Sequence, residues 1–250
     1  MVSFKIMKKL LSSALALVFL SSCSYTLKPE MGEKEIEYFV DGLRIKGMLF
    51  LPMSGPMSGS GGKYPAVIVN HGGWDGINGD IILLCRFLRD KGFVVIASQY
   101  RGEGGSEGKT TGLFDRGRIR DSLALIDYLK ELDYVDMKNL FMVGHSIGGF
   151  VTYGASIETT EIKAFVAMSG VFTPLLCKLE HVRGPVLIIH GSADKRVLLY
   201  DSECAAERLK ATGQRYELKV YEGAGHHIFS RGMRDRTYGD ILDWIEGFRD

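Results

Sequence analysis

The chain lacks a surplus of basic residues. Its 250 residues carry 31 Lys and Arg against 30 Asp and Glu, a net charge of +1. That removes the electrostatic footprint a nucleic-acid-binding protein needs. Long apolar runs are also scarce: there is one, at the N-terminus, so the chain is not a polytopic membrane protein. Cysteine occurs only four times, without a CxxC pair or a Cys/His spacing suited to a metal, so no metal and no cofactor is expected. Apolar residues are plentiful, at 46%, which excludes a disordered chain. The length is enough for one α/β domain with a full core. The 31 glycines predict many tight turns around a rigid scaffold.

The single apolar run belongs to an N-terminal address. Lys5, Lys8 and Lys9 precede an apolar stretch over residues 10–20, 11 residues long. A spanning helix needs about 20 apolar residues, so residues 1–22 are expected to be a signal peptide that takes no part in the fold. The stretch ends in Leu20-Ser21-Ser22-Cys23, which resembles the lipobox of bacterial lipoproteins. The resemblance implies that Cys23 becomes the lipidated first residue, with residues 23–33 as a linker and 34–250 as a single domain. Removing the leader leaves 28 basic and 30 acidic residues, a net charge of −2. Acyl chains, not a basic patch, would then hold the membrane. The expected location is the bacterial cell envelope, on an extracytoplasmic face. Of the other cysteines, Cys85 reads as a core residue, and Cys177 with Cys204 as a pair that could join under oxidising conditions.

The mature chain begins with two strands, 34–40 and 43–51, about an Asp41-Gly42 turn. A Gly/Pro/Ser-rich loop follows over 52–62, carrying a PMSG duplication. Strands and helices then alternate. Strands are expected at 66–70, 93–98, 140–143, 162–168, 186–189 and 216–221. Helices are expected at 80–91, 115–132, 148–157, 199–211 and 238–248. Short strands apolar on both faces, separated by helices, predict a mostly parallel sheet covered on both sides. In such sheets the chemistry lies beyond the carboxyl ends of the strands.

Those ends carry the informative residues. Gly144-His145-Ser146-Ile147-Gly148-Gly149 is a G-x-S-x-G between an apolar strand and a helix, the context of a nucleophile elbow. Ser146 is the candidate nucleophile. A base is expected in Gly223-Ala224-Gly225-His226-His227, after the last strand. His226 directly follows the Gly-Ala-Gly run and is favoured, with His227 as the alternative. The acid should follow the strand between them, which leads into His190-Gly191-Ser192-Ala193-Asp194, so Asp194 is the candidate. Asp201, its nearest rival, falls inside a predicted helix. Oxyanion donors are expected from the amides of Ile147, after the nucleophile, and Gly73, in His71-Gly72-Gly73-Trp74. His71, His145 and His190 read mainly as braces of their loops. Trp74, Tyr100, Arg101, His145 and His227 are candidates for lining the substrate site.

Together, HGGW at 71–74, YRGEGGSEG at 100–108, GHSIGG at 144–149, HGSAD at 190–194 and GAGHH at 223–227 resemble the α/β-hydrolase superfamily. More narrowly they are similar to the dienelactone hydrolase and S9-type prolyl oligopeptidase catalytic domains, over about residues 65–250. The resemblance implies an α/β-hydrolase fold: a mostly parallel eight-stranded sheet, helices on both faces and minimal or no cap. It maps the triad onto Ser146, Asp194 and His226, and the oxyanion amides onto Gly73 and Ile147. Three departures stand out. Dienelactone hydrolases proper use a cysteine where Ser146 stands. Large S9 peptidases carry an N-terminal propeller, and only a short segment precedes the core here. Residues 169–184 leave room for a short lid at most, so the site should be open.

The leading expectation is a serine hydrolase that cleaves carboxylic esters through an acyl-enzyme on Ser146. The alternative is an S9-like peptidase or acyl-aminoacyl hydrolase with the same machinery. A third is a non-catalytic envelope binding protein on a hydrolase scaffold. The expected partners are a small ester or short peptide and, through Cys23, a membrane; no nucleic acid is expected.

Overall fold

A computed structural model of the chain describes residues 32–53, 62–74, 76–171, 181–229 and 232–250. The expected signal peptide, Cys23, most of the expected linker, the centre of the PMSG loop, Cys177 and residues 172–180 of the expected short lid lie outside these. No helix of the described residues is long and apolar enough to cross a membrane. Among the described residues Cys85 and Cys204 form no disulfide, and Cys85 lies in the core as its apolar helix predicted; the expected Cys177–Cys204 pair falls outside them.

Among the described residues the chain forms eight strands and five helices. They run β1 (Glu33–Val40), β2 (Leu43–Phe50), β3 (Tyr64–Asn70), α1 (Gly79–Asp90), β4 (Val94–Gln99), α2 (Arg116–Lys130), β5 (Val135–His145) and α3 (Ile147–Glu158). Then come β6 (Ala164–Met168), β7 (Val186–Gly191), α4 (Leu199–Ala211), β8 (Tyr216–Tyr221) and α5 (Arg234–Glu246). The strands form one sheet in the order β1-β2-β4-β3-β5-β6-β7-β8. β1 and β2 pair antiparallel, as do β2 and β4, and every later pairing is parallel. The hairpin turns on Asp41 and Gly42, both at positive φ (54° and 78°). Two consecutive positive φ values match the twist of the flanking strands, which is why Asp-Gly suits this turn.

The central strands are buried on both faces, and their alternation divides the core in two. On β3, Ala66 and Ile68 face one cluster while Val67 and Val69 face the other. On β5, Leu140 and Met142 join the first, Phe141 and Val143 the second. The first cluster packs under α2, α3 and α4 through Leu125, Leu129, Phe150, Val151 and Leu209. The second packs under α1 and α5 through Leu84, Leu88, Ile241 and Ile245. The two outer strands, β1 and β8, keep charged residues such as Glu35, Glu37 and Glu217 on exposed positions, which discourages pairing with another sheet edge.

Two boundaries differ from the sequence expectation by more than two residues. β5 begins at Val135 rather than 140, and Val135 pairs with Tyr64 across a register irregularity between Tyr64 and Ala66. The polar Asp136, Lys138 and Asn139 mask that first half of the strand. α5 begins at Arg234 rather than 238 because its first turn is polar and carries no apolar period.

Candidate active site

The site forms where β3, β5, β7 and β8 end. β5 delivers the chain to Ser146 at φ 57° and ψ −115°, and α3 starts with the next residue. A non-glycine residue in that region is strained, and it persists only where its surroundings enforce it. Here the Ser146 N–H donates to the Met168 carbonyl of β6 (2.8 Å). Close packing does the rest: a Cβ on Gly148 would stand 2.1 Å from the Asn70 carbonyl oxygen, so only glycine allows α3 to leave so near β3. The result projects Oγ from a sharp turn at a helix N-terminus. The amide of Ile147 opens that helix, among the N–H groups that have no partner within it.

The expected oxyanion loop, residues 71–74, presses on the elbow. A Cβ on Gly72 would lie 2.9 Å from the Ser146 Cβ, and Gly73 sits at φ 75°. Beneath the loop is a buried layer that the sequence reading missed. Tyr100 donates its hydroxyl to the His71 carbonyl (3.3 Å), and its ring stacks on the His71 imidazole at 4.2 Å. Glu103 accepts from Nε (3.1 Å) and Nη2 (2.7 Å) of Arg118 through one oxygen and turns the other towards His71 Nε2 at 3.8 Å. Arg118 is fully buried, donates from Nη1 to the Gly112 and Leu113 carbonyls, and lies 4.6 Å from the Trp74 ring centroid. One ion pair thus ties three loops together. Breaking such a buried pair from one side typically costs about 3–5 kcal/mol. The clue in the sequence was an interruption: Arg118 and Ser122 share the α2 stripe of Leu125 and Leu129, where apolar residues belong.

His226 stands on the loop between β8 and α5. Its Nε2 is 3.0 Å from Ser146 Oγ and its Nδ1 is 2.7 Å from Asp194 Oδ2. The carboxylate neighbour assigns the proton to Nδ1, leaving Nε2 to accept from the serine hydroxyl. Asp194 follows β7. Its Oδ1 accepts the backbone N–H groups of Arg196 (2.8 Å) and Val197 (3.0 Å), so the carboxylate holds its own turn as well as the imidazole. Burial by itself would raise its pKa. Hydrogen bonds from His190 and His226 and from the Arg196 amide outweigh that and hold the carboxyl far below the usual range. His190 is the acid's second contact: Nε2 lies 3.3 Å from Asp194 Oδ2 and 3.0 Å from the Val197 carbonyl, while Nδ1 pairs with Ser202 Oγ at 2.7 Å.

The structure brings Ser146, His226 and Asp194 into one hydrogen-bonded line. His227 is exposed, its ring 5.6 Å from that of His226, and makes no such link. Trp74 lies at the site's edge, 43% exposed above Arg118. Three of the expected lining residues, Tyr100, Arg101 and His145, need correction. Tyr100 is fully buried behind the oxyanion loop. Arg101 is bound through Nε and Nη2 to Asp121, and through Nη2 also to Asp41. The Tyr100 hydroxyl braces the 71–74 loop at His71, and the Arg101 guanidinium ties its own loop to α2 and the β1–β2 hairpin. His145 is buried against the base loop, where its Nε2 lies 3.0 Å from the His226 carbonyl. Among the described residues no group of three or more His, Cys, Asp or Glu side chains is placed to hold a metal.

A mostly parallel sheet covered on both faces, with a serine on an elbow and a histidine–aspartate pair beyond the strand ends, defines an α/β-hydrolase with a serine-hydrolase site. Residues 51–240 match the model of the dienelactone hydrolase family, and the chain belongs to that family. It is similar to dipeptidyl-peptidase 5 of Porphyromonas gingivalis, 24% identical over 264 aligned positions that cover 88% of this chain. Among solved structures it resembles the Pyrococcus furiosus esterase Pf2001, with a TM-score of 0.74 and 20% identity, over 86% of this chain and 92% of the esterase. It also resembles the Pyrococcus horikoshii acylaminoacyl peptidase, with a TM-score of 0.70 and 20% identity, over 86% of this chain. The chain spans 38% of the length of the dipeptidyl-peptidase and 41% of that of the acylaminoacyl peptidase.

Proposed function

We propose that the chain hydrolyses carboxylic esters through an acyl-enzyme on Ser146. The observation that carries this reading is the relay itself: Oγ to Nε2 at 3.0 Å and Nδ1 to carboxylate at 2.7 Å, on a strained elbow. In the proposed cycle Ser146 attacks the ester carbonyl and His226 takes its proton. Asp194 holds the imidazole and stabilises its cation. The amides of Ile147 and Gly73 receive the oxyanion, a contribution of about 2.7–4 kcal/mol for each donor in sites of this kind. His226 returns the proton to the leaving alcohol, and a water it activates then cleaves the acyl-enzyme.

The likeness to a dipeptidyl-peptidase and an acylaminoacyl peptidase favours a second reading, hydrolysis of peptide or acyl-aminoacyl bonds by the same residues. A peptidase that holds a free α-amine needs carboxylates to spare. Asp194 is engaged by two imidazoles, Glu103 by Arg118, and Asp80 faces Arg234 at 3.6 Å. Among the described residues these engaged carboxylates weigh against a substrate with a free α-amine, and ester hydrolysis leads over that branch. An acyl-blocked substrate needs no such carboxylate, so relative turnover separates it. Purified protein should turn over p-nitrophenyl esters of graded acyl length at least tenfold faster, in kcat/KM, than aminoacyl-anilides. The reverse order would establish the peptidase reading, and no turnover of either would end both.

The L-S-S-C stretch supports a lipid anchor at Cys23, which would place the enzyme at the bacterial envelope, facing out of the cytoplasm. Growth on a palmitate analogue should label the full chain, and C23S should lose the label and become extractable without detergent. Equal labelling of both chains would refute the anchor.

A further inference from the structure

We propose that His145 is a positioning residue for this hydrolysis: its Nε2–H, donated to the carbonyl of His226, sets the base at the right height above the nucleophile. The inference rests on the reading of Ser146 and His226 as nucleophile and base.

The loop that carries His226 is tied in two directions. Towards the acid it is tied by backbone bonds: Ala193 N–H donates to the Ala224 carbonyl (2.9 Å), and Ser192 N–H to the Tyr221 carbonyl (3.0 Å). Gly223 N–H completes that seam by donating to Ser192 Oγ (2.8 Å). These bonds place His226 against Asp194. They do not place it against Ser146, which belongs to a different strand. The link in that direction runs from His145, the last residue of β5 and the one before the nucleophile, to the His226 carbonyl at 3.0 Å, across 81 residues of sequence.

The bond requires a proton on Nε2, because a carbonyl only accepts. A neutral ring with that proton is what the site favours. Burial first, and then the neighbouring His226, push the His145 pKa down to about 3, so the ring keeps one proton. Its place is also held by packing. The Phe229 ring meets it edge-on at 5.1 Å, the His226 ring lies 5.0 Å away and that of His227 6.1 Å. On its other side Nδ1 faces the oxyanion loop: a Cβ on Gly72 would stand 3.3 Å from it. One side chain therefore touches the base loop and the oxyanion loop while being bonded in sequence to the nucleophile. A shift of about 1 Å in such a constellation can cost about 100-fold in rate, so the link has leverage without touching substrate.

The test compares H145F, which keeps a ring and loses the donor, with H145Q, whose amide nitrogen can reach the position of Nε2. With a p-nitrophenyl ester, H145F should lower kcat about 10- to 100-fold with KM changed less than threefold. H145Q should recover kcat to within about threefold of wild type, because the donated bond is restored. Should H145F fail to fold by circular dichroism, H145N, too short to reach the carbonyl, takes its place. Unchanged kcat in H145F overturns the proposal. So does an equal loss in H145F and H145Q, which would assign the effect to packing. A wild type inert to both ester and fluorophosphonate overturns the reading of Ser146 along with this one, whereas an active wild type matched by H145F overturns this one alone.

Discussion

S146A is expected to lower kcat for ester hydrolysis about 10⁶-fold, and adding H226A to it is expected to lower it hardly further. The reason is that the two side chains act as one device. The serine hydroxyl is a weak nucleophile unless a base accepts its proton during attack. At 3.0 Å, His226 Nε2 is placed to do so. With either group gone, what remains is substrate binding and the oxyanion donors, typically worth about 10³–10⁴ over water. The Ile147 and Gly73 amides belong to the backbone and survive both substitutions, so the double variant should sit near the single ones. Initial rates with a p-nitrophenyl ester, normalised by fluorophosphonate titration of the wild type, make the measurement. Retention of more than a hundredth of wild-type kcat in S146A would place the hydrolysis elsewhere on the molecule.

The elbow was legible because its requirements are local. G-x-S-x-G brings its own glycines, and an apolar strand before with a helix after is visible within fifteen residues. The acid and the base were legible for a related reason. Each lies just past a strand end, so the parallel sheet alone carries Asp194 and His226 to the same edge as Ser146. Choosing His226 over His227 needed a further observation, since adjacent residues point differently and one is buried while the other is exposed.

What sequence could not reveal depends on partners remote in the chain. Tyr100 and Arg101 sit in a glycine-rich loop that reads equally well as a substrate wall or as a brace. Only the fold shows that Arg101 meets Asp121 on α2 and Asp41 in the hairpin. Glu103 has no reading from sequence alone, and only the fold pairs it with Arg118 beneath Trp74. His190 and His145 read as braces, and so they are. The missing part was what they brace: the acid in one case, the carbonyl of the base in the other. The polar start of α5 and the first half of β5 escaped because sheet pairing and helix packing there overrode a local pattern with no apolar period.

D194N is expected to lower kcat about 10³- to 10⁴-fold while leaving KM within about threefold. Asn can still accept the Arg196 and Val197 amides through its oxygen, so the turn survives. Its nitrogen would then replace Oδ2 and present a donor to His226 Nδ1. The imidazole must answer by moving its proton to Nε2, where it blocks acceptance from Ser146. The same nitrogen would face His190 Nε2, which lies 3.3 Å from Oδ2 in the native site. The charge lost also has a signature in stability. The Asp194 pKa in the folded chain is depressed below its unfolded value, about 3.9. Its contribution is therefore fully present above that unfolded value and is lost as pH falls through the depressed folded one. Wild-type stability should fall more steeply than that of D194N as pH drops below about 4. Urea unfolding at a series of pH values, alongside kcat and KM at pH 7.5, separates the two effects. A D194N enzyme within tenfold of wild-type kcat would mean that the imidazole is oriented by something other than this carboxylate.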